Sequence, residues 1–74
     1  MMNLSEAAPG DTVRIVGFEK EEEAIKLMEM GCLPGELVTV AFVAPMGDPI
    51  SIMVSGYQLS LRIDEAVKIQ VARI

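Results

Sequence analysis

The stretch Ala24–Val40, AIKLMEMGCLPGELVTV, decides how the rest of the chain is read. It opens as a helical segment rich in Leu and Met, stops at Gly31, reverses at Pro34-Gly35 and leaves as a β-type run ending in Val-Thr-Val. Glycine suits the left-handed position that closes a helix, because it has no Cβ to clash there. Proline presets φ for the second position of a tight turn, and the glycine after it tolerates the positive φ that a type II turn needs. Helix, stop, reversal and strand follow one another in one short segment, while the rest of the chain reads as β. A lone helix among strands must cover apolar surface that the strands leave open.

Upstream, Pro9-Gly10-Asp11 ends a short lead-in over Leu4–Ala8, and Thr12–Phe18 reads as a strand with Val13 and Ile15 on one face and Arg14 on the other. The helix is predicted from Glu19 to Met30, about residues 20–30 once frayed ends are set aside. Ala24, Leu27 and Met28 share one stripe, flanked by Ile25 and Met30, and Glu22, Lys26 and Glu29 form the opposite face. Glu21, Glu22 and Glu23 suit the positive end of the helix dipole, and Glu22 and Lys26 have the i,i+4 spacing of an ion pair. The apolar arc is wider than the ~100° that seats a helix on one core, which points to a second contact surface.

Downstream, Leu37–Val43 is strand-like on both faces and Ala44–Pro49 is a loop dense in turn formers. Ile50, Ile52 and Val54 alternate with Ser51, Met53 and Ser55. Gly56 breaks that run, and Tyr57, Leu59 and Leu61 then alternate with Gln58, Ser60 and Arg62. Asp64-Glu65-Ala66 allows a single helical turn before a last strand carrying Val67, Ile69 and Val71. About five short strands joined by tight turns predict a mainly β chain, a small closed or half-closed barrel with one inserted helix. Pro9-Gly10-Asp11-Thr12-Val13 echoes Pro34-Gly35-Glu36-Leu37-Val38, the same turn chemistry used twice.

Seventy-four residues bound the chain to one domain, residues 1–74, near the size where burial becomes scarce. The single Cys32 and the absence of His exclude an internal disulfide and a Cys/His metal staple, so the 51% hydrophobic fraction must supply the stability. One unpaired cysteine, no signal-type opening and no apolar run near the ~20 residues of a membrane span predict a soluble intracellular protein without membrane insertion. The net charge of −5 and scattered Arg14, Lys26 and Lys68 argue against a nucleic-acid partner. A mean hydropathy of +0.42 implies an efficient core or apolar surface reserved for a partner.

Reactive chemistry is sparse. Without His the commonest general base is missing, and Cys32 has no imidazole to activate it. Placed just past a helix C-terminus, where the dipole disfavours a thiolate, Cys32 reads as a small buried hydrophobe. The acids of Glu19–Glu23 point in different directions around a helix and make a poor cation cage. Gly47-Asp48-Pro49 lacks the spaced acids of a calcium loop, Asp64-Glu65 reads as a cap, and Arg62 as a solvated residue. No catalytic residue, cofactor or metal ligand is expected. Interaction residues are expected at Leu27, Met30, Leu33 and Tyr57, with Met46 on the loop; Met28 is assigned to the core. Strand edges and the helix face offer a route to homo-oligomers.

The pattern Leu27-x-Glu29-Met30-Gly31-x-x-Pro34-Gly35-Glu36-x-Val38 resembles the helix-to-strand motif of the FeoA family. Gly47-Asp48-Pro49-Ile50, Val54-x-Gly56-Tyr57-x-Leu59-x-Leu61-Arg62 and Glu65-Ala66 are similar to its second half, and Leu4, Pro9-Gly10 and Val13-x-Ile15 to its opening. The resemblance implies an SH3-like β-barrel with an inserted helix, no enzymatic activity and a role in ferrous iron uptake. It implies a FeoB-type membrane transporter as partner and a cytoplasmic location, recruited to the membrane by that partner. The same fold unit as the C-terminal domain of iron-dependent repressors leaves a metal-sensing role as the alternative.

Overall fold

Alternate valines and isoleucines build the sheet. In the computed structural model, which describes residues 2–74, six strands run in one antiparallel sheet. They are β1 (Met2–Asn3), β2 (Thr12–Phe18), β3 (Leu37–Val43), β4 (Ile50–Val54), β5 (Tyr57–Leu61) and β6 (Ile69–Arg73). Helix α1 (Glu21–Glu29) joins β2 to β3, and the single-turn α2 (Ile63–Ala66) joins β5 to β6. The spatial order is β1-β6-β2-β3-β4-β5. The mainly β reading with one inserted helix holds, but the sheet has a sixth strand and does not close into a barrel. The extra strand lies in the expected lead-in, where Met2 and Asn3 pair with Val71 and Gln70. The last strand starts at Ile69 because Val67 is spent as the C-cap of α2.

One face of the sheet carries the core: Val13, Ile15, Val38, Val40, Ile50, Ile52, Val54, Leu61, Ile69 and Val71 are all buried. Leu4, Leu27, Cys32 and Ala66 close over it. Two bulges break the plain alternation. One between Ile15 and Gly17 lets Phe18 pair with Ile69 and turn inward, where it packs on the core. The other, between Val40 and Phe42, sets Phe42 opposite Ser51 and turns the phenyl ring out, 56% exposed. Ser51 itself is buried, contrary to a strict alternation, because Gln58 Nε2 donates to its hydroxyl at 2.6 Å.

The repeated Pro-Gly turns are used in equivalent ways. Asp11 N–H donates to the Ala8 carbonyl at 2.9 Å, and Glu36 N–H to the Leu33 carbonyl at 3.0 Å, each closing a turn. Gly10 N–H then reaches the Val40 carbonyl (2.8 Å) and Gly35 N–H the Ile15 carbonyl (2.7 Å). Val13 pairs with Val38 between them, so the two turn–strand units stand across a local two-fold.

α1 begins at Glu21 rather than Glu19, because Lys20 is extended (φ −131°, ψ 144°) as the N-cap; Glu19 N–H donates to the Lys68 carbonyl at 2.9 Å. The expected Glu22–Lys26 pair does not form. Lys26 reaches instead across the fold to Glu65 at 3.2 Å, and Lys68 meets Glu23 at 2.8 Å.

Candidate interaction surface

The end of α1 is fixed from three sides. Gly31, at φ +103°, supplies the left-handed step. Its N–H donates to Met28 and the Cys32 N–H to Leu27, both at 3.0 Å, which is the Schellman arrangement. Tyr57, the first residue of β5, lies over this turn and donates its hydroxyl to the Met30 carbonyl. A Cβ at position 31 would run into that hydroxyl and ring carbon. Glycine is therefore required twice, once for the backbone and once for the tyrosine above it. The connection onward is tied down by Arg14, whose guanidinium donates to the Gly35 carbonyl at 3.0 Å, and by Ser55, which donates to the Glu36 carboxylate at 3.0 Å.

This arrangement brings Met30 and Tyr57 into direct contact and sets Leu33 three residues beyond Met30, with 44% of Leu33 and 43% of Tyr57 exposed. Met30 is half-buried and packs against the core. Leu27 is only 2% exposed, so it anchors the helix and offers no surface to a partner. Met46, 93% exposed, lies on the loop between β3 and β4, at the Ile50/Leu61 end of the sheet, whereas Tyr57 pairs with Val54 at the other end. Met46 is thus no part of the same corner.

Met28, expected in the core, is half-buried and borders a groove with Ile25, which is 61% exposed. The helix seats the i,i+3 row Ala24, Leu27 and Met30 inward, not Ala24, Leu27 and Met28. Sequence periodicity gives the width of an apolar arc but not its rotation on the core, so Ile25 was missed as a surface residue. Phe42 was missed because nothing local marks the bulge.

Between α1 and α2 lies a second, ionic cleft of about 330 Å³, lined by Glu23, Lys26, Arg62, Asp64, Glu65 and Lys68. The Arg62 N–H, with Lys26 adding to it, holds the Glu65 carboxyl below its usual range, and the Glu23 carboxylate raises the Lys68 ammonium. Lys26 pairs with Glu65 and Lys68 with Glu23, so the cleft ties α1 to α2 and to the residue just before β6. Cys32 is fully buried, and desolvation, then Glu65, pushes its thiol up to about 11, which leaves it protonated and inert. Among the described residues no three His, Cys, Asp or Glu side chains gather so as to hold a metal ion, and no helix is long and apolar enough to cross a membrane.

Comparison with known proteins places this geometry. The FeoA domain family model matches residues 2–73. A curated relative from Porphyromonas gingivalis, a fusion of Fe(2+) transport protein A and the Fe(2+) transporter FeoB, is 39% identical over 99% of this chain. The chain spans 9% of the length of that relative. The solution structure of a FeoA-like protein from Clostridium acetobutylicum superposes with a TM-score of 0.92 at 36% identity, covering 99% of this chain and 86% of that one. The zinc complex of Stenotrophomonas maltophilia FeoA, described as a prokaryotic SH3 domain protein, superposes with a TM-score of 0.82 at 27% identity, covering 97% and 91%. IdeR of T. acidophilum shares the fold alone, at 23% identity and a TM-score of 0.81 over 34% of its chain.

Proposed function

The chain belongs to the FeoA domain family, and on that premise we propose that it is a non-enzymatic accessory protein of ferrous iron uptake that docks on the cytoplasmic part of a FeoB-type transporter. Residues 1–74 act as one such unit. The observation that carries the reading is the corner of Met30, Leu33 and Tyr57: apolar surface left open to water, yet held rigid by the Schellman turn, the Tyr57 latch and the Arg14 and Ser55 contacts. A preorganised apolar corner loses little entropy on binding, which suits it to a protein partner. In the Porphyromonas gingivalis relative the A and B proteins form one chain, and tethering of that kind keeps two weakly binding modules together. The metal-sensing alternative draws only on a likeness of fold.

Leu33→Glu is the cleaner probe of the corner, because Met30 also packs on the core and Met30→Glu perturbs stability as well as surface. Transporter GTPase activity and ferrous iron uptake in vesicles are expected to change when the chain is added, and to revert with Leu33→Glu at unchanged melting temperature. Equal effects of wild type and Leu33→Glu would remove this corner from the interface.

A further inference from the structure

We propose that the outward face of α1, around Ile25 and Met28, grips a basic amphipathic segment of a partner protein. The proposal rests on the accessory reading above and names the chemistry of the segment held. Ile25 and Met28, with Ala24 and the flanking Glu21 and Glu22, border a shallow, open groove along the surface of α1. Ile25 is among the more exposed large apolar side chains of the fold, and Met28 is a flexible side chain that adapts to an inserted group.

The charges around the groove select its occupant. On the other side of the same helix, Lys26 is drawn to Glu65 and Glu23 is neutralised by Lys68. No ion pair among the described residues involves Glu21, Glu22 or Glu29, and all three are exposed. The helix is therefore zwitterionic and tied down on one side, and apolar with three unpaired acids on the other, with Lys20 at its N-cap. A second copy of the chain docking through this face by a two-fold would set like carboxylates against each other. An anionic lipid surface or a nucleic acid meets the same repulsion. The complementary occupant has apolar side chains at helical i, i+3 or i+4 spacing, to seat against Ile25 and Met28, and Lys or Arg beside them. This groove is distinct from the Met30–Leu33–Tyr57 corner, none of whose three residues lines it.

The test uses the intact chain and a fluorescein-labelled synthetic peptide with Leu at i, i+3, i+4 and i+7 and Lys between them, followed by anisotropy. Saturable binding that weakens with added salt is expected. Ile25→Ser, at unchanged melting temperature, and Glu21→Gln/Glu22→Gln/Glu29→Gln, shown to be folded by far-UV circular dichroism, should each lose about tenfold or more in affinity. Met46→Ser, apolar and exposed at the other end of the sheet, should bind as wild type. Undiminished binding by either groove variant, or equal binding of a peptide with Glu in place of Lys, would overturn the proposal. So would a dimer in sedimentation equilibrium that Ile25→Ser dissolves, which would assign the face to a second copy. The titration involves no transporter, so its failure and that of the accessory reading are told apart by Leu33→Glu, which should leave peptide binding intact.

Discussion

Replacing Gly31 by Ala perturbs two separable features at once. An L-residue in the left-handed region costs about 1–2 kcal/mol. The new methyl also displaces Tyr57, so the hydrogen bond to the Met30 carbonyl is lost, a further ~0.5–1.5 kcal/mol, along with part of the ring packing. The sum is about 2–4 kcal/mol, which for a chain of this length lowers the melting temperature by roughly 10–25 °C. Urea unfolding followed by far-UV circular dichroism, run on wild type, Gly31→Ala, Tyr57→Ala and the double variant, separates the two terms. With Tyr57 gone, Gly31→Ala should cost only the backbone term, leaving a coupling of about 1–2 kcal/mol. If Gly31→Ala costs the same in both backgrounds, within the ~0.3–0.5 kcal/mol that independent sites show, Tyr57 does not roof the helix end and the latch is refuted.

Leu27→Ala, which empties the anchor of α1, should destabilise by about 2–5 kcal/mol in the same urea assay. Burial raises the Cys32 thiol from its ordinary value of 9.0 to about 11. The unfolded state therefore releases its proton first, and the stabilisation, complete below the unfolded value, is lost as pH rises through that window. The loss should approach about 2 kcal/mol by the folded value, and Cys32→Ala should lack this part of the alkaline slope. At the acid end, Glu65 is held ionised by the Arg62 N–H and Lys26, so its contribution is present at neutral pH and disappears as pH falls through its lowered pKa. Glu65→Gln should flatten that limb, by less than ~1 kcal/mol given the exposure of Lys26.

Local chemistry made part of this fold legible. The bounds of β2 and β3 and the stop at Gly31 follow from Pro, Gly and alternating Val and Ile, which act within a few residues of themselves. What stayed hidden depends on partners distant in sequence. Two residues, Met2 and Asn3, become a strand only because β6 lies beside them. Lys26 prefers Glu65 to the adjacent turn because α2 packs opposite it. The bulges that turn Phe18 in and Phe42 out arise from register between strands, and no run of side chains announces them. The residues expected to bind a partner divide the same way. Leu33 and Tyr57 are exposed. Leu27 fell on the buried side, and Ile25 on the open side, because the rotation of α1 is set by the core beneath it.

Docking through the helix-end corner is tested most directly by titrating the isotope-labelled chain with the cytoplasmic portion of a FeoB-type transporter and following the amide resonances. Shifts centred on Met30, Leu33 and Tyr57, abolished by Leu33→Glu, are predicted. Saturating transporter with no shift there, or with shifts confined to Phe42 and Met46 at the far end of the sheet, would contradict the account.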